Sequence, residues 1–203
     1  MNSKKNLRFK CTRCGNCCTD KNTIVNLTYL DILRIKVGLK LDLNEILDML
    51  GFYVFDKDLT NEEKKRMSIT PITTEKGLAF IGVLKRSLGS CYFYDFKNKK
   101  CLIYELRPLF CQTFPFSFKY IENETNAKLD IFYTEKGKQY CPGISNNAPI
   151  INYDDWNKLG KEVLEELEKN HIINKEWNES VENKMVIPTV KNFLLNIFKL
   201  NKN

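Results

Sequence analysis

Between residues 28 and 51 the chain states one pattern twice: a capping side chain, an acid three positions on, apolar residues at helical spacing, then glycine. In TYLDILRIKVG, Thr28 and Asp31 form the capping pair, Leu30, Leu33 and Val37 share a face, and Gly38 marks the end. In DLNEILDMLG, Asp42 caps, Glu45 reaches back and Gly51 is the stop. The pattern predicts two short helices. The middle of the chain changes period. MSITPITTEKGLAFIGVLKR is rich in Ile, Thr and Val with Gly77 at a turn signal, which predicts a strand pair. SCYFYDFKNKKCLIY sets Cys91 and Cys101 on either side of a polar turn, and FPFSFKYIENETNAKLDIFYTEKG alternates around the turn-like ENETNA, a second hairpin. Between them YELRPLFC predicts one helical turn with Pro108 early in it. From residue 152, Trp156, Leu159, Val163 and Leu167 form one stripe of a helix of about 17 residues. Pro188 then breaks the chain ahead of TVKNFLLNIFKL, an amphipathic helix expected to pack on the core rather than on a membrane surface. The class is α+β: a small antiparallel sheet and hairpins with flanking helices.

At 203 residues, 43% of them hydrophobic, the chain suffices for one packed domain spanning 1–203. Within it we expect a cysteine-bearing core at about 11–145 and a helical C-terminal annex at about 150–200. The N-terminus, MNSKKNLRFK, is charged and lacks a signal-type apolar stretch. The longest apolar run, LAFIGVL at 78–84, is far short of the roughly 18 residues a membrane span needs. A soluble, cytoplasmic protein is the expectation. In that reducing compartment eight cysteines in clustered spacing point to metal before disulfides.

The formal charge of +7 counts every thiol as neutral. Eight thiolates holding two zinc ions, or two dianionic four-iron clusters, bring it to about +3. Nucleic acid is therefore not the expected partner. The basic knots Lys64-Lys65-Arg66 and Lys97, Lys99, Lys100 read as solvated surface.

CTRCGNCC holds Cys11, Cys14, Cys17 and Cys18 within eight positions. Two residues between thiols let both sulfurs face one ion, and Gly15 can take the positive φ such a knuckle needs. Three thiols at successive x2 intervals are the local part of a ferredoxin-type run, whose fourth cysteine would fall at position 21, where this chain has Lys21. The completing ligands must come from elsewhere. Cys141, followed by Pro142, is one candidate, and Cys91, Cys101 and Cys111 supply three more. Neighbouring side chains diverge, so Cys17 and Cys18 are expected to serve different centres. Eight thiols then fill two four-sulfur sites without remainder. One metal site with leftover thiols, or a Cys91–Cys101 disulfide, are the alternatives. Four thiolates suit zinc and iron; the triple run and Cys-Pro favour an iron–sulfur cluster of the [4Fe–4S] kind, with zinc as the alternative.

The run C-x2-C-x2-C-C, together with CLIYELRPLFC, Phe114-Pro115-Phe116 and Cys141-Pro142-Gly143, resembles the YkgJ-type cysteine-cluster family, a zinc- or iron-chelating domain. The resemblance spans about 11–145 and implies eight cysteines forming a metal site with no general reaction assigned. Relatives usually carry Arg where this chain has Gln112. A bacterial flagellin lysine N-methylase has a similar cluster, which makes a protein-modifying enzyme one alternative function. A zinc-stapled nucleic-acid or protein interaction module is another.

Other residues carry side chains capable of chemistry. Arg107 is the candidate for binding a cofactor or anionic substrate, against a plain ion pair with Glu105 or another acid. Tyr92, Tyr94, Phe114, Phe116 and Phe118 read as core. His171, the single histidine, reads as a helix-end or surface residue, which excludes two-histidine zinc sites. Asp154-Asp155 and Glu165-Glu166 read as solvated helix faces. No Walker loop, G-x-S-x-G, HExxH or Gly-rich strand-to-helix fingerprint occurs, and the catalytic residues of any enzyme are not assigned. The expected role is metal chelation for structural, redox or metal-handling purposes.

Overall fold

A computed structural model describes residues 6–57, 59–60, 62–63, 67–121 and 128–200. The Lys64-Lys65-Arg66 knot and the ENETNA turn lie outside the described residues. Those described form seven α-helices and seven strands, in an α+β arrangement of small antiparallel sheets flanked by helices.

Both predicted capping boxes form. Thr28 and Asp31 start α2 (Tyr29–Leu39), and Asp42 and Glu45 start α3 (Leu43–Met49), after a one-turn α1 (Asn16–Thr19). The two stops differ from expectation. Gly38 lies inside α2, and Lys40 makes the left-handed turn at φ 56°. Gly51 lies inside strand β1 (Leu50–Val54), because Leu50 both ends α3 and opens the strand with no loop between. The predicted strand pair, β2 (Ile72–Thr74) and β3 (Gly77–Val83), turns at Thr74 opposite Gly77. β1 adds to the far side of β3, in the order β1-β3-β2. Two hairpins follow: β4 (Tyr94–Asp95) with β5 (Lys100–Cys101), then β6 (Phe116–Ile121) with β7 (Lys128–Tyr133). Between the hairpins a 3-10 turn (Tyr104–Leu106) precedes α4 (Leu109–Thr113), so the expected single turn is split at Arg107-Pro108. α5 (Glu135–Tyr140) leads to the long α6 (Tyr153–Glu182) and to α7 (Val190–Leu200).

α6 runs 30 residues instead of about 17. Its apolar stripe ends near Leu167, but polar residues take over the same task. Asn170 accepts the Tyr29 N–H at 2.8 Å, Asn174 donates to the Thr70 carbonyl at 2.6 Å, and Trp177 donates to the Thr73 carbonyl at 2.9 Å. Asn178 accepts from Thr73 N–H at 2.7 Å and donates to the Pro71 carbonyl at 3.0 Å. The amides thus satisfy backbone groups along the open edge of β2, which would otherwise be buried unpaired.

α6 also joins two apolar clusters. Its first half packs Trp156, Leu159 and Val163 on the β6–β7 hairpin with Leu7 and Ile151. Gly160 permits this approach: a Cβ there would stand 2.5 Å from Phe118 and 2.6 Å from Leu129. Its second half packs Trp177 with Ile32, Ile35, Ile46, Ile81 and the α7 residues Phe193, Leu194 and Ile197. The apolar face of α7 is accordingly buried in the core, and no helix among the described residues is long and apolar enough to cross a membrane.

Candidate metal centre

Each cysteine is delivered by a different local device. The N-terminal segment is tied to the loop after α5 by Lys10 N–H to the Gly143 carbonyl at 3.1 Å, which brings the segment bearing Cys11 to the loop bearing Cys141. Gly15, at φ 81°, turns the chain into α1, and its carbonyl accepts from Cys18 and Thr19 N–H at 2.9 and 3.0 Å. The side chain of Asn16 donates to the Tyr140 carbonyl at 3.2 Å, fastening α1 to the end of α5. Cys91 N–H donates to the Cys18 carbonyl at 2.7 Å, and Cys101 pairs with Tyr94 across the β4–β5 hairpin. Cys111 stands on α4, whose first N–H, at Leu109, donates to buried Asp31 at 2.9 Å.

The result is one open cavity of about 450 Å³ whose wall includes all eight cysteines. Cys91, Cys101 and Cys111 are partly buried against the apolar core, whereas Cys11, Cys14 and Cys17 are exposed at the rim. All eight are free thiols, so the Cys91–Cys101 disulfide does not form. No three His, Cys, Asp or Glu side chains among the described residues are drawn in tightly enough to hold a single ion. Cys17 and Cys18 do not diverge as expected of neighbours. Both line the cavity, and the Cys18 thiol hydrogen-bonds to Cys17, because a one-turn helix beside a wide chamber lets adjacent side chains reach the same space.

Electrostatics singles out Cys17. The hydrogen bond from Cys18, with the Arg107 guanidinium adding to it, brings the Cys17 thiol down to about 7 against the pull of burial. Its partner Cys18 is pushed up, first by donating that bond and then by burial. Burial pushes Cys91, Cys101 and Cys141 up, and Cys111 well up. A cavity that resists forming thiolates on its own favours them once a cation is bound, since the ion's charge reverses the local preference. The donor set therefore fits a thiophilic metal.

Arg107 reaches the cavity wall, and no ion pair joins it to Glu105 or another acid among the described residues. Its guanidinium instead lies 3.7 Å from the Tyr104 ring centre, and its Nε is buried with no acceptor. Gln112 donates to the Arg107 carbonyl at 2.7 Å and so braces that turn. Sequence reasoning missed Arg13, which stacks on the same ring at 4.4 Å and also lines the cavity; no spacing rule marks a pair that only tertiary folding creates. Tyr94, Phe116 and Phe118 are buried as expected, while Phe114 stacks on Tyr140 at the cavity wall. His171 falls in mid-α6 rather than at a helix end, exposed, with Nδ1 2.6 Å from the Thr70 hydroxyl and away from the cysteines. Glu165 is solvated, but Glu166 is not: it is buried against Arg34, at 2.7 Å, and Thr28.

Comparison with known proteins places this arrangement. An uncharacterized protein of Methanocaldococcus jannaschii, MJ0661, is 29% identical over 161 residues, covering 79% of this chain and 71% of the relative. No solved structure matches the chain. A family model spans residues 10–142, the stretch that contains every cysteine. The chain belongs to that family, CxxCxxCC, described as "Putative zinc- or iron-chelating domain".

Proposed function

We propose that the chain is an iron–sulfur protein with a redox, structural or metal-handling role, its eight cysteines divided between two four-thiol sets. Cys11, Cys14, Cys17 and Cys141 form the rim set; Cys18, Cys91, Cys101 and Cys111 form the floor set. The observation that carries this reading is the single chamber walled by all eight thiols, about 450 Å³ in volume. A closed zinc site holds its sulfurs about 2.3 Å from one ion and leaves no void. Thiols that border a wide chamber without three of them converging suit a polynuclear cluster better. The division follows the neighbours. Cys141 has Cys14 and Cys17 within electrostatic reach, whereas Cys18 has Cys91 and Cys111, and Cys111 has Cys91 and Cys101; Cys17 stands between the sets, within reach of Cys18, Cys91, Cys101 and Cys111 as well. It also sends adjacent Cys17 and Cys18 to different centres from within one cavity. Bound clusters would supply one-electron chemistry or a rigid cross-link between segments far apart in sequence. A reducing compartment such as the cytoplasm would keep all eight thiols available to ligate metal.

Purification without oxygen tests this. The protein is expected to be brown, absorbing near 400 nm, with iron and acid-labile sulfide in equal amounts. Colourless protein containing stoichiometric zinc would overturn the iron–sulfur assignment.

A further inference from the structure

The cavity carries more positive charge than its thiols explain. Arg13, Lys99, Lys100 and Arg107 line it, against one carboxylate, Glu105. Neither arginine has a carboxylate within ion-pair distance among the described residues. Both guanidinium groups instead lie over the one Tyr104 ring, at 4.4 and 3.7 Å from its centre. That ring keeps them planar, ordered and edge-free for hydrogen bonding. Arg13 and Lys99 sit at φ 55° and 48°, left-handed backbone that residues with a Cβ adopt at a cost. Part of the chamber wall is apolar, with aromatic side chains such as Phe114 and Tyr140.

From this we propose that the cavity admits a small oxyanion, a molecule bearing a phosphate or carboxylate group, gripped by Arg13 and Arg107 with Lys99 and Lys100 adding attraction. The anionic group would take the unpaired guanidinium donors in the planar, two-pronged geometry that arginine offers and lysine does not. The rest of the ligand would extend along the apolar wall toward the thiols. This deepens the metal-centre reading by naming what enters the same chamber, yet the grip comes from residues that are not cysteines.

The test is calorimetric titration of the protein as purified anaerobically, with inorganic phosphate in one arm and malonate in the other, at ionic strength fixed with potassium chloride. Saturable binding of at least one probe is expected, and the tighter arm identifies the anionic group. Arg13→Gln and Arg107→Gln are each expected to weaken that binding at least tenfold, and Arg107→Lys to weaken it less. Metal content is measured on the same samples. Arg13 is exposed, so its variant keeps the test valid even where Arg107→Gln fails to fold. Saturable, arginine-dependent binding in protein that contains no metal would uphold the oxyanion site while removing the cluster reading. Metal-loaded protein that binds neither probe, or binds equally well without Arg13 and Arg107, would overturn the site: those cations would then serve the thiolates alone.

Discussion

Gly15 answers two demands at once. Its φ of 81° starts the turn that carries Cys17 and Cys18, and the place where a side chain would begin is filled by the Tyr94 hydroxyl. Alanine in left-handed backbone costs about 1–2 kcal/mol before any clash is counted. Gly15→Ala must also displace a buried tyrosine that stands on the hairpin bearing Cys101. Its thermal midpoint is therefore expected to fall by several degrees and its metal content with it; a variant as stable and as loaded as the wild type would show that the knuckle geometry is not needed. This position was legible in the sequence, because a glycine after the second thiol of a C-x2-C run has a physical reason to be there. The positive φ at Arg13 and Lys99 was not legible, since nothing in an arginine or lysine code marks a backbone imposed by distant packing.

The elements are fastened to one another by a buried ionic knot more than by the sheets. The Asp31 side chain is fully buried on α2; it accepts from Thr28 N–H at 3.1 Å, from Leu109 N–H at 2.9 Å and from Arg34 at 2.5 Å, and Arg34 passes on to Glu166 of α6. Three helices meet there, and one of them, α4, bears Cys111. Asp31→Ala is expected to cost about 3 kcal/mol in denaturant unfolding, because it leaves two buried backbone donors unpaired and takes from Arg34 one of its two carboxylate partners. Burial, only partly offset by Arg34, pushes the Asp31 carboxyl up to about 6, whereas the unfolded chain titrates near ~3.9. The native state thus takes up this proton first as pH falls. The group's contribution to stability is fully present below about 4 and is lost as pH rises through 6. The stability of the wild type relative to Asp31→Asn should accordingly rise on going from pH 7 to pH 4; a relative fall would contradict the assignment. The sequence announced Asp31 only as a capping residue. Its second task, like the burial of Glu166, follows from the approach of α6, which no local pattern encodes. The same is true of the latter half of α6: Asn170, Asn174 and Asn178 lie one turn apart, but a reading based on apolar periodicity stops where amides replace aliphatic side chains.

At the scale of the whole molecule, the cavity gathers thiols from segments spread over 131 positions, Cys11 to Cys141, and one of the two apolar cores joined by α6 backs Cys91, Cys101 and Cys111. Burial raises most of those thiols, so forming thiolates there costs free energy that a bound thiophilic cation offsets. Cysteine spacing alone exposed the donors and their number. It did not expose that they share one chamber, because that depends on Lys10 meeting Gly143 and on Cys91 meeting Cys18 through backbone hydrogen bonds. The most direct measurement is native mass spectrometry under anaerobic conditions on the wild type, Cys14→Ser and Cys111→Ser. The account predicts two metal centres on the wild-type chain and one on each variant, the rim centre lost from the first and the floor centre from the second. A bare, compact wild-type chain bearing intramolecular disulfides would contradict it.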